Sequence, residues 1–205
     1  MSTSLEPALE AVIRLSAIIA SRDESELAQQ LHRAAEVSDI TVVEEAILQS
    51  YLFVGYPAAL NAMAAWREVS GVAAPPPAAD DRDRWIPRGE AICSNVYGGQ
   101  YEGLRANIRK LHPEMEQWMV EEGYGKVLGR TGLSLQEREL CIVALLAVLV
   151  VPRQLYSHLR GALNTGASRA QVAEALAIGL EYASAGSDQA LESWDAVCAR
   201  HDGGP

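Results

Sequence analysis

Glu139, Cys141 and His158 are the residues whose types and spacing could do chemistry, in the stretch ERELCIVALLAVLVVPRQLYSHLRGALNTG, Glu137–Gly166. A carboxylate facing an imidazole in apolar surroundings can hold the ring in one tautomer, and the two can pass protons near neutral pH. Taken singly, each residue has a plainer reading. Glu139 sits in the first turns of its helix, where the dipole favours a solvated acid, and His158 reads equally well as an ordinary interhelical histidine. Geometry favours the pair. Two antiparallel helices joined by a turn at Val150–Arg153 bring residues on either side of it together.

Cys141, in the middle of the apolar run Leu140–Val151, reads as a buried, inert thiol. The cysteines are Cys93, Cys141 and Cys198, odd in number and without a CxxC, which argues against a disulfide framework, a zinc site or a redox role. Arg130, Arg138 and Arg160 are candidate guanidinium forks for an anionic substrate. Asn164 belongs to LNTG, a helix C-cap in which Gly166 is free to take positive φ, and its amide could reach the same pocket. Tyr97, Trp118 and Tyr124 read as packing residues, with one of them lining a cavity at most. Neither a G-x-S-x-G elbow nor a P-loop, a dinucleotide fingerprint or an HExxH occurs.

The elements that must position these groups are helical throughout. Leu5, Leu9, Val12, Ile13 and Ser16 or Ala17 mark one face of a first helix, and Leu27, Leu31 and Ala34 or Ala35 one face of a second. Asp39 or Thr41 can cap a third, which Gly55 and Pro57 stop before another begins. SGVAAPPPAADDRDR, Ser70–Arg84, cannot continue a helix and reads as an extended linker. Two short helices divided by Gly98-Gly99 follow, then one opened by Pro113, then a loop ending at Ser134, where Glu137 completes a capping box.

A weak internal repeat runs through this order. A shift of 128 positions sets Leu5 against Leu133, Ala11 against Glu139 and Gln30 against His158; one further residue sets VVEEAI against QVAEAL. Neither copy alone can cover its apolar faces, so two copies should pack face to face. The division expected is an N-terminal half at 1–70, a Pro-rich linker at 71–86, and a C-terminal half at 87–205 carrying the site.

At 205 residues the chain is long enough for a sizeable core, and its net charge of −10 argues against nucleic acid and anionic membranes as partners. The longest apolar run, Leu140–Pro152, is too short to span a bilayer. The N-terminal residues lack the pattern of a signal peptide, so the expected compartment is the cytoplasm.

These residues resemble a known family. RELCIVALLAVLVVPRQLYSHLRGALNTGASRAQVAEAL is similar to the carboxymuconolactone decarboxylase family, with its R-x-L helix, L..H...ALN.G and V.EAL. YGKVLGRTGLSLQEREL resembles that family's loop into the helix, and QSYLFVGYPAALNA its G-x-P-A-A segment. The resemblance implies an all-α, alkylhydroperoxidase (AhpD)-like fold of two tandem helical repeats. In the alkylhydroperoxidase branch a glutamate is followed after eleven residues by a CxxC and then by a histidine. Counted from Glu139, the histidine position falls on His158, but the cysteine positions fall on Val151 and Gln154, which speaks against thiol peroxidase chemistry.

The decarboxylase branch needs neither cysteine nor cofactor. There a γ-lactone loses CO2, its electrons flow through a conjugated double bond to the lactone carbonyl, and the dienolate is protonated. His158 would supply the proton, Glu139 would hold His158, and Arg130, Arg138, Arg160 or Asn164 would bind a carboxylate or the carbonyl oxygen. One departure concerns Glu139, where the family's decarboxylases commonly carry a small residue. The reading is a cofactor-free lyase acting on a small lactone or related carboxylate. A thiol oxidoreductase and a non-catalytic helical oligomer are the alternatives. The resemblance and the surplus of apolar helix faces together imply a homotrimer.

Overall fold

The computed structural model describes residues 5–77, 79 and 81–202. Ten helices order the described chain: α1 (Pro7–Ser21), α2 (Glu24–Val37), α3 (Ile40–Ser70), α4 (Trp85–Tyr97), α5 (Tyr101–Leu111), α6 (Pro113–Trp118), α7 (Leu135–Leu149), α8 (Pro152–Asn164), α9 (Arg169–Glu181) and α10 (Ser187–Asp202). The fold is all-α, with no strand among the described residues.

The repeat predicted from sequence is visible as a pseudo-twofold arrangement. α1 and α7 pack against each other at the centre. Each also packs on the two helices that follow it, α2 and α3 in one half and α8 and α9 in the other, and each touches the third helix of the opposite half. Local geometry repeats as well. Arg22 and Val150, 128 positions apart, both take the left-handed conformation, at φ 62° and 54°, and each closes the tight turn between the first two helices of its half. One hydrophobic core runs through both halves, from Val12, Ile13 and Leu15 of α1 to Leu140, Val143 and Leu145 of α7.

Several local expectations can be followed into the structure. The chain breaks at Gly55 (φ 79°, ψ 165°), and a helix resumes through Pro57 to Ser70, so α3 is two helices across a kink. Asp39 precedes α3 without a side-chain cap bond. Ser134 and Glu137 form the full capping box of α7, and Ser168 with Gln171 repeats it at α9. The described residues of 71–81 are non-helical, and a short 3-10 turn, Arg82–Arg84, leads into α4.

The stretch from α4 to the start of α7 holds what the sequence pattern did not reveal. The helix expected from Pro113 to about Gly125 changes type at Met119: α6 continues directly as a π-helix, Met119–Leu128. α4 lies across this π-helix with the two backbones in contact. A Cβ on Gly89 would stand 2.0 Å from the Val120 carbonyl oxygen, and one on Gly125 would stand 2.1 Å from that of Trp85. Glycine at both positions is therefore what permits the crossing. Trp118, expected to pack, is 56% exposed.

Candidate functional site

α7, α8 and α4 build the site between them. The capping box fixes where α7 starts, which sets the direction of each side chain in its first turns. Successive helical residues project about 100° apart, so Arg138 and Glu139 leave α7 toward different neighbours. Glu139 turns to α8 and is wholly buried, which removes the solvated-acid reading. Its Oε2 lies 2.8 Å from His158 Nδ1. An ionised carboxylate only accepts, so Nδ1 is the donor of this bond, and Nε2 on the other edge of the ring is left to give or take a proton.

Room for the carboxylate comes from Gly161, three residues beyond His158 on α8. A Cβ there would stand 2.6 Å from Glu139 Oε2 and 2.7 Å from Val96 Cγ1. The other carboxylate oxygen, Oε1, is buried without a hydrogen-bond partner among the described residues, an unmet acceptor in mainly apolar surroundings.

Aromatic rings enclose His158. Phe53 of α3, two residues before the Gly55 kink, stands edge-on to it with centroids 5.9 Å apart, and Tyr97 at the end of α4 lies at 6.4 Å. The Tyr124 hydroxyl, from the π-helix, donates to Tyr97 Oη at 2.9 Å. Burial first, then the neighbouring Tyr97 and Glu139, push the Tyr124 phenol well above its usual range. Tyr97 is likewise raised by burial, against the opposing hydrogen bond from Tyr124. Both remain neutral phenols at physiological pH.

The four residues expected to bind substrate divide two and two. Arg138 is fully buried: its Nη2 donates to Glu45 Oε2 at 2.7 Å and to the Arg130 carbonyl at 3.1 Å, and its Nη1 to Gln49 at 3.2 Å. Arg130 grips the same Glu45, through Nε at 2.9 Å and Nη2 at 2.8 Å. Their hydrogen bonds run to α3 rather than toward His158, and a buried carboxylate needs such cations for its own compensation. Arg138 and Arg130, expected to bind substrate, both hold Glu45 of α3 and so tie α3 to α7 and the loop before it. Arg160 and Asn164 stay on the α8 side. Asn164 Nδ2 donates to the Val96 carbonyl at 2.8 Å, tying α8 to α4. Both residues line two adjoining clefts of about 200 and 240 Å³.

Sequence reasoning missed Gly161, Phe53 and the Tyr97–Tyr124 pair as parts of this site. A glycine inside the otherwise helical HLRGAL was the one local signal available. Cys141 is buried, as its place in the apolar run predicted. Cys93 is buried too, and burial pushes each thiol up to about 12. Val151 and Gln154, where the thiol motif would place cysteines, lie at the α7–α8 turn and in the first turn of α8.

Residues 113–197 match the model of the carboxymuconolactone decarboxylase family. That span contains Glu139, His158, Arg160 and Asn164, whereas α4 with Tyr97 lies before it. The chain is also similar to Peroxisomal protein 2 of Schizosaccharomyces pombe, with 31% identity over 147 residues, covering 68% of this chain and 67% of that protein.

Proposed function

This chain belongs to the carboxymuconolactone decarboxylase family, and from that premise we propose that it is a cofactor-free lyase removing CO2 from a small lactone or related carboxylate. The observation that carries the proposal is the buried 2.8 Å contact between Glu139 Oε2 and His158 Nδ1. Glu139 orients the imidazole and compensates its charge, and His158 Nε2 delivers the proton that completes the reaction. Low-polarity walls from Phe53, Tyr97 and Val96 favour loss of a desolvated carboxylate. Arg160 and Asn164, at the neighbouring clefts, would hold the substrate's charged groups.

The test is CO2 release from a 4-carboxymuconolactone-type lactone by the purified chain. His158→Gln should lower kcat by about 10²–10⁴-fold, the range for a positioned acid or base, and Glu139→Gln should lower it less. A fully active His158→Gln protein would overturn the mechanism. One observation favours a non-catalytic reading: the clefts lined by Arg160 and Asn164 do not include His158 or Glu139 among their walls. No turnover of any lactone carboxylate, with normal folding, would decide for that reading.

Assembly as a homotrimer is part of the proposal. Ile40, Tyr56 and Leu60 are large apolar side chains at 44%, 59% and 60% exposure along α3, and apolar surface of this kind suits a subunit contact. Sedimentation equilibrium at micromolar concentration should return three times the chain mass; a monomer or dimer mass would rule the trimer out. The cytoplasm is proposed as its compartment on the sequence reading alone. No helix among the described residues is long and apolar enough to cross a membrane. The name of the yeast relative associates that protein with peroxisomes, and imaging of the tagged full chain distinguishes the two.

A further inference from the structure

Tyr97 joins two features that are otherwise separate. Its ring lies against His158, at 6.4 Å between centroids and 63° between planes. The same residue lines the cleft of about 200 Å³, together with Gln100, Asn107, Arg160 and Asn164. Because Tyr124 donates its hydroxyl proton to Tyr97 Oη, Tyr97 keeps its own proton for another acceptor. A phenol that accepts one hydrogen bond is polarised into a better donor of the next. Arg160, in the same cleft, makes no ion pair or hydrogen bond among the described residues. A neutral donor and an unpaired cation thus border one small space, and the Tyr97 ring connects it to His158, which is not itself among its walls.

We propose that Tyr97 is a catalytic residue of the lyase, its hydroxyl donating to the carbonyl oxygen of a lactone whose carboxylate is held by Arg160. This rests on the lyase reading above. As the C–CO2 bond breaks, its electron pair moves through the conjugated double bond onto the carbonyl oxygen, and CO2 leaves. Tyr97 strengthens its hydrogen bond to that oxyanion without surrendering its proton. The electrons then return to carbon, which takes a proton from His158 Nε2, and the carbonyl re-forms. One proton is consumed and one CO2 released, and His158 is reprotonated from solvent.

The experiment compares Tyr97→Phe, Tyr124→Phe and His158→Gln in the full chain. Removing one oxyanion donor lowers kcat by about 10²–10³-fold, so Tyr97→Phe should fall in that range with KM changed less than about threefold. Tyr124→Phe, which removes only the polarising bond, should lose about tenfold or less. Unchanged kcat in Tyr97→Phe alongside a dead His158→Gln would overturn this inference and leave the lyase reading standing. An active His158→Gln would overturn the lyase reading itself. Should the wild-type chain turn over no lactone, calorimetry with 5-oxotetrahydrofuran-2-carboxylate, a saturated lactone that cannot decarboxylate, reads the donor directly. Binding that weakens about tenfold in both Tyr97→Phe and Arg160→Gln supports the subsite; equal binding by all three proteins, or none by the wild type, overturns it.

Discussion

The two halves of the molecule place different chemistry on one geometry. In the first half, Gln30 Nε2 donates to the Ala11 carbonyl at 2.8 Å. At the matching positions of the second, His158 meets Glu139 at the same separation. In both, the second helix of the hairpin reaches back to the first across a tight turn, so the scaffold offers the contact twice. What differs is the cover. The outer face of α2, with His32, Arg33 and Glu36, is open to water. The equivalent face of α8 lies under α4 and α10, where Gly161 stands in the place of Arg33. The contact itself is buried in both halves, Gln30 at 5% and His158 at 6% exposure, so the extra cover bears on the groups around the pair, where a carboxylate and an imidazole cost more to desolvate than an amide and a carbonyl.

That account can be broken most severely by grafting. Ala11→Glu with Gln30→His would install the pair in the first half, where Ala11 is 1% exposed and no glycine makes room. We expect a loss of about 3–5 kcal/mol, because the larger side chains overpack a filled core and the pair is desolvated without the room Gly161 gives it in the second half, measured by urea unfolding. Stability within about 1 kcal/mol of wild type would show that the second half's cover and glycine are unnecessary.

Gly161→Ala sharpens the same point through its sign. Alanine is worth about 1 kcal/mol over glycine inside a helix, but its Cβ would crowd Glu139 Oε2 and Val96. The net should be a loss of about 1–2 kcal/mol, together with weaker lyase activity, while Arg33→Ala should move stability by less than about 0.5 kcal/mol. A stabilised Gly161→Ala protein would mean that the carboxylate has room to spare.

Cys141 occupies the position that Ile13 holds in the first half, and both are wholly buried. Cys141→Ala should cost about 1–2 kcal/mol and leave activity intact. Loss of activity in a folded protein would return the thiol to the chemistry.

The mildest effect separates the halves by pH. Residues 1–70 contain no cysteine, while burial raises Cys93 and Cys141 from 9.0 to about 12. The folded state therefore holds these protons more tightly than the unfolded chain. Their contribution is fully present below about pH 8.5 and is lost as pH rises toward 12. Chemical denaturation from pH 8 to 10 should show falling stability, with a shallower slope once Cys93 and Cys141 are both alanine. An identical slope would assign the loss to other groups.

The hairpins were legible in the sequence because periodic apolar positions and punctuating glycines and prolines define helices locally. The Glu139–His158 contact followed from those hairpins and one turn. Adjacency in sequence misled for Arg138: one step along a helix rotates the side chain from α8 toward α3, and Glu45, which receives it, lies 93 residues away. The cover over α8 was not legible either. It depends on α4 crossing a π-helix at Gly89 and Gly125, a backbone contact that leaves no apolar period to read. Tyr97 and Tyr124 looked like packing because a phenol's function rests on the partner of its hydroxyl, which spacing does not give.

The central contact between α1 and α7 also sets a clock. α7 begins 128 residues after α1, Leu135 against Pro7, and α1 packs on α7 more than on any other single helix. At about 5–20 residues per second, a ribosome leaves α1 waiting about 6–25 s for this partner. During that interval α2 and α3 shield it only in part. The nascent first half is thus a natural client for a chaperone, and the fold closes late, when α7 arrives.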